Sequence, residues 1–394
     1  MIVEPKIRGF ICTTSHPAGC AKNVAEQIAY VKSKPSFVGT KKALIIGSST
    51  GYGLATRIAA AFGCGASTIG VAFERPAQGK RTGTAGWYNT AEFQKQALND
   101  GIYAKSIMGD AYSSETKEKV IDLIKKDLGQ VDLVVYSLAA PRRTTDDGVT
   151  YSSVIKPIGE EYSGKTIDMR THELSTATVE PATQEEIDGT IKVMGGEDWK
   201  LWIEALQEAG VLADNSVTLA YSYIGPEVTH AIYTDGTIGM AKKDLEKTAK
   251  EITDMLLQSG GKAYVSVNKA VVTQASSAIP AVPLYTSILF KIMKSKGIHE
   301  DCIEQMYRML SEKLYVSKTK VDEVGRIRVD DLELSDDVQN EVIKVWNTVS
   351  DSNLNKVADI DGYWEDFYRL FGFGLKGVDY EADIDIDTAI DGLV

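Results

Sequence analysis

KALIIGSSTGYGLATRIAAAFG, Lys42 to Gly63, decides the fold. KALII is a short apolar run of strand length, and GSSTGYG is too rich in glycine and hydroxyls to continue it. From Gly53 the apolar positions recur at helical spacing. Strand, glycine-rich turn and helix in that order make a phosphate cradle. Glycine lets the backbone approach a ligand, and the helix start offers free N–H groups and partial positive charge.

The same alternation continues outward. STIGVAFE ends at Glu74, YAKSIMGD at Asp110 and VDLVVYSLAAP at Pro141, each reading as a strand. Helical stretches, EFQKQALNDG and the Ser-capped SSETKEKVIDLIKKDLGQ, separate them. Such crossovers are right-handed, so the expected fold is α/β, a Rossmann-type doubly wound parallel sheet. SVTLAYSYIGP and GKAYVSVNKAVVT extend it. We expect one NAD-binding catalytic domain over 1–394, with an N-terminal extension 1–40, an insertion 141–213, and a lid and C-terminal extension 274–394. The insertion reads as hairpin strands followed by the amphipathic EDWKLWIEALQEAG. AIPAVPLYTSILFKIMK reads equally as a mobile lid or a buried helix, and GYWEDFYRLFGFG as a helix packed on the core.

A net charge of −12 and a pI near 5.0 disfavour nucleic acid and anionic membranes as general partners. No segment offers the ~20 apolar residues of a membrane span, and the N-terminus lacks a signal-peptide core. Four cysteines without a CxxC pair suit free thiols in the cytoplasm. Cys12, His16 and Cys20 are spaced by four, but Pro17 interrupts a helix there and no fourth ligand is near. A packed N-terminal turn is expected and no metal.

Glu74 stands twenty-one residues beyond Gly53, where a carboxylate can accept hydrogen bonds from the adenosine ribose. That favours NADH, although Arg75 beside it could attract a 2′-phosphate. Asp110, Ala111, Leu138 and Ala139 close two strands at the same edge, where adenine and the nicotinamide ribose would lie.

YTDGTIGMAK, Tyr233 to Lys242, raises the question of catalysis. At about 100° per residue, nine steps leave the two side chains on opposite sides of a regular helix. They can cooperate only if Tyr233 precedes the helix, and Thr234-Asp235-Gly236 is turn chemistry that allows a helix from about Thr237. A lysine beside a tyrosine favours the ionised phenol, so the pair can serve a developing oxyanion near neutral pH. Spacing alone favours a surface tyrosine and a solvated lysine over catalysis.

The loop and sheet order look like the short-chain dehydrogenase/reductase superfamily, but its Tyr-x3-Lys is absent, as is the Tyr-x6-Lys of common enoyl-ACP reductases. RGFICTTSHPAGC, GSSTGYG, VAFE and YSYIGPEVTHAIYTDGTIGMAKKDLE with its Tyr-x8-Lys closely resemble the trans-2-enoyl-CoA reductase family, which includes the V-type enoyl-ACP reductases. The likeness spans essentially the whole chain. It implies NADH-dependent reduction of the double bond of a trans-2-enoyl thioester carried by CoA or acyl-carrier protein; whether the chain acts as a monomer or self-associates is open from sequence. It implies Tyr233 as proton donor, Lys242 as the cofactor-binding lysine assisted by Lys243, and Tyr223 as a substrate contact. Gly47, Ser48, Ser49, Thr50, Gly51, Tyr52, Phe73, Glu74, Asp110, Ala111, Leu138, Ala139, Val271, Val272 and Thr273 match its cofactor positions. Two rivals are a carbonyl reductase using the same pair on C=O and a protein that binds NADH without turnover.

Overall fold

The computed structural model describes residues 1–8, 11–169, 171–273, 276 and 279–394. Gly9 and Phe10 of the RGFICTTSHPAGC stretch, and four positions at the start of the expected lid, 274, 275, 277 and 278, lie outside the described residues. Seven strands form the main sheet: β1 (Lys42–Ile46), β2 (Ser67–Ala72), β3 (Ala104–Met108), β4 (Val131–Tyr136), β5 (Leu212–Ser222), β6 (Lys262–Val267) and β7 (Ile327–Arg328). Their order is β3-β2-β1-β4-β5-β6-β7, and every neighbouring pair is parallel. The direction of winding reverses between β1 and β4, which opens a crevice at the carboxyl ends of the strands.

Strand β1 shows why the sheet is covered on both faces. Ala43, Leu44, Ile45 and Ile46 are all fully buried. Leu44 and Ile46 pack with Val120 of α4 (Ser114–Leu123), Trp199 and Trp202 of α6 (Glu197–Glu208) and Leu245 of α7 (Thr237–Met255). Ala43 and Ile45 face the other way, onto Ile28 of α1 (Pro17–Lys32), Leu54 of α2 (Gly51–Ile58) and Met306 of α9 (Cys302–Arg308). Alternation at period two thus feeds two layers, each buried aliphatic side chain contributing ~1.5–3 kcal/mol.

Strands end earlier than their apolar runs suggest: β2 stops at Ala72, β3 at Met108 and β4 at Tyr136. The residues that follow leave the ladder to face the crevice. The N-terminal extension holds α1, a 16-residue helix, where a packed turn was expected. Pro17 opens this helix instead of interrupting it, because its missing N–H is one of the first-turn donors without an acceptor anyway. The His16 Nδ1 caps it by accepting from the Gly19 amide at 3.1 Å. All four cysteines are free, and Cys12, His16 and Cys20 do not gather into a ligand set among the described residues.

Within 141–213 two hairpins appear, Arg142–Thr144 with Thr150–Ser152 and Tyr162–Asp168 with Glu173–Val179. A further helix, α5 (Gln184–Met194), starts with a Thr183/Glu186 capping box that the hairpin reading overlooked. Helix α6 buries Trp199, Trp202, Ile203 and Leu206 against the sheet, so it belongs to the covering layer between β4 and β5. Helix α8 (Val282–Ser295) buries Leu284, Tyr285, Ile288, Leu289, Phe290 and Met293 almost completely, as a core helix does and a mobile lid does not. Helices α10 (Asp336–Thr348) and α11 (Ile360–Arg369) pack against it, with Phe367 and Phe371 in the same apolar cluster.

Candidate active site

A cavity of 1730 Å³ opens at the carboxyl edge of the sheet. Gly47, Ser49, Thr50, Gly51, Tyr52, Phe73, Glu74, Asp110, Ala111, Leu138, Ala139, Tyr223, Tyr233, Lys242, Val271, Val272 and Thr273 all line it. Ser48 does not. Its amide donates to the Val71 carbonyl at 3.0 Å and its hydroxyl to the same oxygen at 3.2 Å, so it faces the sheet. Lys243 is exposed on α7 one position past Lys242, about 100° around the helix, and is not in the cavity wall.

The turn GSSTGYG leaves no room for side chains at two places. A Cβ on Gly53 would stand 1.9 Å from the Gly47 carbonyl oxygen, and one on Gly47, whose φ is +85°, would stand 2.0 Å from the Ser137 oxygen. Helix α2 therefore presses against the ends of β1 and β4, and its first turn, whose amides have no intrahelical acceptor, lines the crevice through Thr50, Gly51, Tyr52 and Leu54. The Glu74 carboxylate accepts from the Ser49 hydroxyl at 2.7 Å, which fixes one oxygen beside the turn and leaves acceptor capacity for a diol. Phe73 is 80% exposed at the rim, a free aromatic face suited to a base. Two buried polar atoms of the cavity wall, Ser222 Oγ and Asn268 Nδ2, have no protein partner among the described residues. A dinucleotide fits this surface: a glycine-bearing turn at a helix start, a carboxylate beyond it and, among the described residues, unpaired polar atoms at the far end.

Tyr233 sits in the turn before α7, its amide bonded to the Thr229 carbonyl at 3.0 Å. Gly239 makes the close approach possible, since a Cβ there would stand 1.8 Å from the Thr234 oxygen. The half-turn offset is thus resolved by the turn, and Tyr233 and Lys242 face one cavity. The Tyr223 ring meets the Tyr233 ring edge to face, centroids 5.1 Å apart. Lys242 donates to the Tyr221 carbonyl at 3.1 Å, and burial pushes its ammonium down to about 8. Burial also pushes the Tyr233 phenol up, and no charge among the described residues offsets it. The expected lowering of Tyr233 by the lysine is therefore not what this geometry provides. Tyr233 is a neutral phenol near pH 7, a hydrogen donor and not a phenolate.

The model for the trans-2-enoyl-CoA reductase catalytic region matches residues 81–315, and that for the NAD(P)H binding domain of trans-2-enoyl-CoA reductase matches 2–79. The chain belongs to the trans-2-enoyl-CoA reductase family. It is 60% identical to a trans-2-enoyl-CoA reductase [NADH] of Ruminiclostridium cellulolyticum, with all of both chains covered. Over the full length of both chains it is 58% identical to an enoyl-[acyl-carrier-protein] reductase [NADH] of Cytophaga hutchinsonii. The solved trans-2-enoyl-CoA reductase of Clostridium acetobutulicum in complex with NADH superposes with a TM-score of 0.95 at 50% identity, covering 98% of each chain. That of Treponema denticola with NAD gives 0.95 at 47%, covering 98% of this chain and 99% of that one.

A third model, described as an enoyl reductase FAD binding domain, matches residues 321–384. A flavin does not fit there. The segment carries sixteen Asp and Glu against six Lys and Arg, which opposes a pyrophosphate. Arg326 is engaged by Glu246 and Asp322, and Arg328 by Asp330. The hollow beside Val321 and Arg326 measures 260 Å³, below the ~300–1,000 Å³ typical of ligand cavities. Helices α10 and α11 instead spend their apolar faces on α8.

Sequence reasoning missed Glu333, Tyr285, Lys269 and Asn268 near the site. Lys269 and Asn268 follow β6 in NKAVVT and could have been flagged as polar residues at a strand end. Glu333, in the acidic run DDLELSDD, carried no local signal.

Proposed function

We infer that this protein catalyses the NADH-dependent reduction of the C2–C3 double bond of trans-2-enoyl thioesters to saturated acyl thioesters. It is an oxidoreductase acting on a CH–CH bond. The observation that carries the residue roles is the gathering of Tyr223, Tyr233 and Lys242 on the wall of the cavity that also holds the glycine cradle and Glu74.

The bound dinucleotide supplies the hydride that adds to the β-carbon. Lys242, anchored by the Tyr221 carbonyl, keeps two further donors for the hydroxyls of the nicotinamide ribose. Glu74 accepts from the adenosine ribose, and its carboxylate would repel a 2′-phosphate, which supports NADH over NADPH. As the thioester oxygen gathers enolate charge, the neutral Tyr233 hydroxyl donates to it, a donor aimed at charge that forms only in the transition state. A proton delivered to the α-carbon balances the hydride. Buried Val271 and Val272 exclude water from the nicotinamide end.

Both CoA and acyl-carrier protein remain as carriers, since relatives of nearly equal identity bear both names. Four free cysteines support a reducing compartment, the cytoplasm. No helix among the described residues is long and apolar enough to cross a membrane. The test is NADH oxidation with crotonyl-CoA and with a crotonyl acyl-carrier thioester. Tyr233→Phe is expected to lower kcat ~100-fold or more, the loss typical of one oxyanion donor. Lys242→Met is expected to raise the NADH dissociation constant. A phenylalanine variant at full rate would remove Tyr233 from the chemistry.

A further inference from the structure

Behind Tyr223 lies a fully buried carboxylate with no place in the mechanism above. Glu333 sits in the turn between β7 and α10, is 0% exposed, and does not itself line the cavity. One of its oxygens, Oε1, takes the Tyr285 hydroxyl at 2.6 Å and the Tyr223 hydroxyl at 3.1 Å. The other, Oε2, takes the Ala270 amide at 2.7 Å, at the root of the segment that carries Val271 and Val272. Gln339 donates to the Tyr285 hydroxyl at 3.2 Å and to the Glu333 carbonyl at 2.7 Å, so the hydrogen of Tyr285 must point at Glu333. Of the two tyrosines bonded to Glu333, Tyr223 lines the cavity and Tyr285 does not.

We propose that Glu333 is a positioning residue for the reduction: it locks the Tyr223 ring against Tyr233 and decides whether the Tyr223 hydrogen points at Glu333 or at the substrate oxygen. The inference rests on Tyr223 as a substrate contact. A charged Glu333 is only an acceptor, and it draws the Tyr223 hydrogen away from the cavity, turning a lone pair toward the enolate. A neutral Glu333 donates to the Tyr223 oxygen and frees the phenolic hydrogen for the thioester oxygen. Glu333 makes and breaks no bond at the substrate; between its two forms it gains or loses one proton, and the Tyr223 hydrogen changes direction with it.

The groups facing Glu333 bear on which form it takes. Tyr223 faces it from the end of β5, Tyr285 from α8, and the Ala270 amide and Lys269 from the segment after β6; Asp330 lies in its own turn. Burial pushes the Glu333 carboxyl up, Asp330 adds to this, and Lys269 with the Tyr285 and Ala270 hydrogen bonds opposes it. Lys269 is itself buried, with its Nζ on the Ala270 carbonyl at 2.8 Å and over the Phe290 ring at 4.5 Å, and burial pushes its ammonium down. It makes no ion pair with Glu333 within 4.0 Å among the described residues. On this reading the segment whose family description names a flavin serves the enoyl pocket instead.

The experiment is a double-mutant cycle of Glu333→Ala and Tyr223→Phe, read as kcat with crotonyl-CoA at saturating NADH, beside the NADH dissociation constant by fluorescence. Glu333→Ala should lower kcat ~10-fold or more when Tyr223 is present and less than about twofold when Tyr223→Phe is already in place, because residues acting as one unit are not additive. NADH binding should stay within about twofold. Glu333→Gln, whose amide can donate permanently to Tyr223, should recover most of the rate lost in the alanine variant. It should also flatten the part of the alkaline limb of kcat that Tyr223→Phe removes. Equal losses with and without Tyr223→Phe, or NADH binding falling in step with kcat, would overturn the role of Glu333 while leaving Tyr223 in place. Tyr223→Phe at wild-type rate would remove both Tyr223 and this proposal. If the alanine variant fails to fold, the glutamine variant decides alone: a rate as low as that of Tyr223→Phe with an unchanged pH limb sinks the proposal.

Discussion

At Lys242 the surroundings change a residue's ordinary chemistry at the site itself. An exposed lysine holds its proton to about pH 10.4, and burial here brings that down to about 8. Burial penalises the charged form, so the ammonium is fully present below about 8 and is lost as pH rises through it. In the proposed role the ammonium orients the nicotinamide ribose. kcat/KM for NADH should therefore fall above about pH 8, approaching tenfold per unit, and Lys242→Met should give a lower but flat profile over the same range. A wild-type profile that stays level to pH 10 would show that this amine is not the group that matters. Tyr233 shifts the opposite way in effect: raised by burial, it stays protonated through this window, so the limb belongs to the lysine.

At the scale of elements, the carboxyl edge works because two turns bring backbones closer than any side chain allows. In GSSTGYG the constraint is Gly53, packed on the Gly47 oxygen. Gly53→Ala must separate α2 from β1 or strain the turn, a cost of ~1–3 kcal/mol for overpacking of this kind. We expect a lower urea midpoint with an unchanged slope, and NADH affinity reduced at least tenfold, because the same shift moves the first-turn amides. Affinity unchanged in a destabilised variant would mean that the helix start does not hold the pyrophosphate. The glycine signal was legible because a missing Cβ is a property of the residue itself. The polarity of Ser48 was legible as well, yet it faces inward, since which way a loop residue turns depends on the strand beside it.

For the whole molecule, the tail after α11 closes the open edge of the sheet. Residues 392–394 run beside β3, with the Ser106 amide donating to the Gly392 carbonyl and the Val394 amide to the Ser106 carbonyl. The side chains of Trp87 and Tyr88, from α3 (Ala85–Asn99), donate to the Thr388 and Ile386 carbonyls, both at 2.8 Å. Ile386 and Ile390 are buried. Deleting 385–394 exposes two isoleucine sites and orphans the indole and phenol donors, so unfolding free energy should drop by about 3 kcal/mol or more at ~1.5–3 per buried side chain. Urea unfolding measures it, and a stability unchanged by the deletion would show that the edge does not need its cover.

The sequence by itself determined the parallel sheet, the nucleotide cradle and the start of α7 at Thr237, because periodicity, glycine and turn chemistry act within a few residues of where they stand. It also made Tyr233 and Lys242 a conditional pair, allowed only if the turn set the phenol off the helix. Only the tertiary structure decided that both face one cavity, that burial and not a neighbouring charge governs Tyr233, and that Glu333, 110 positions from Tyr223, stands behind it. Long-range burial and hydrogen bonding set those three facts, and neither is written in the local order of residues.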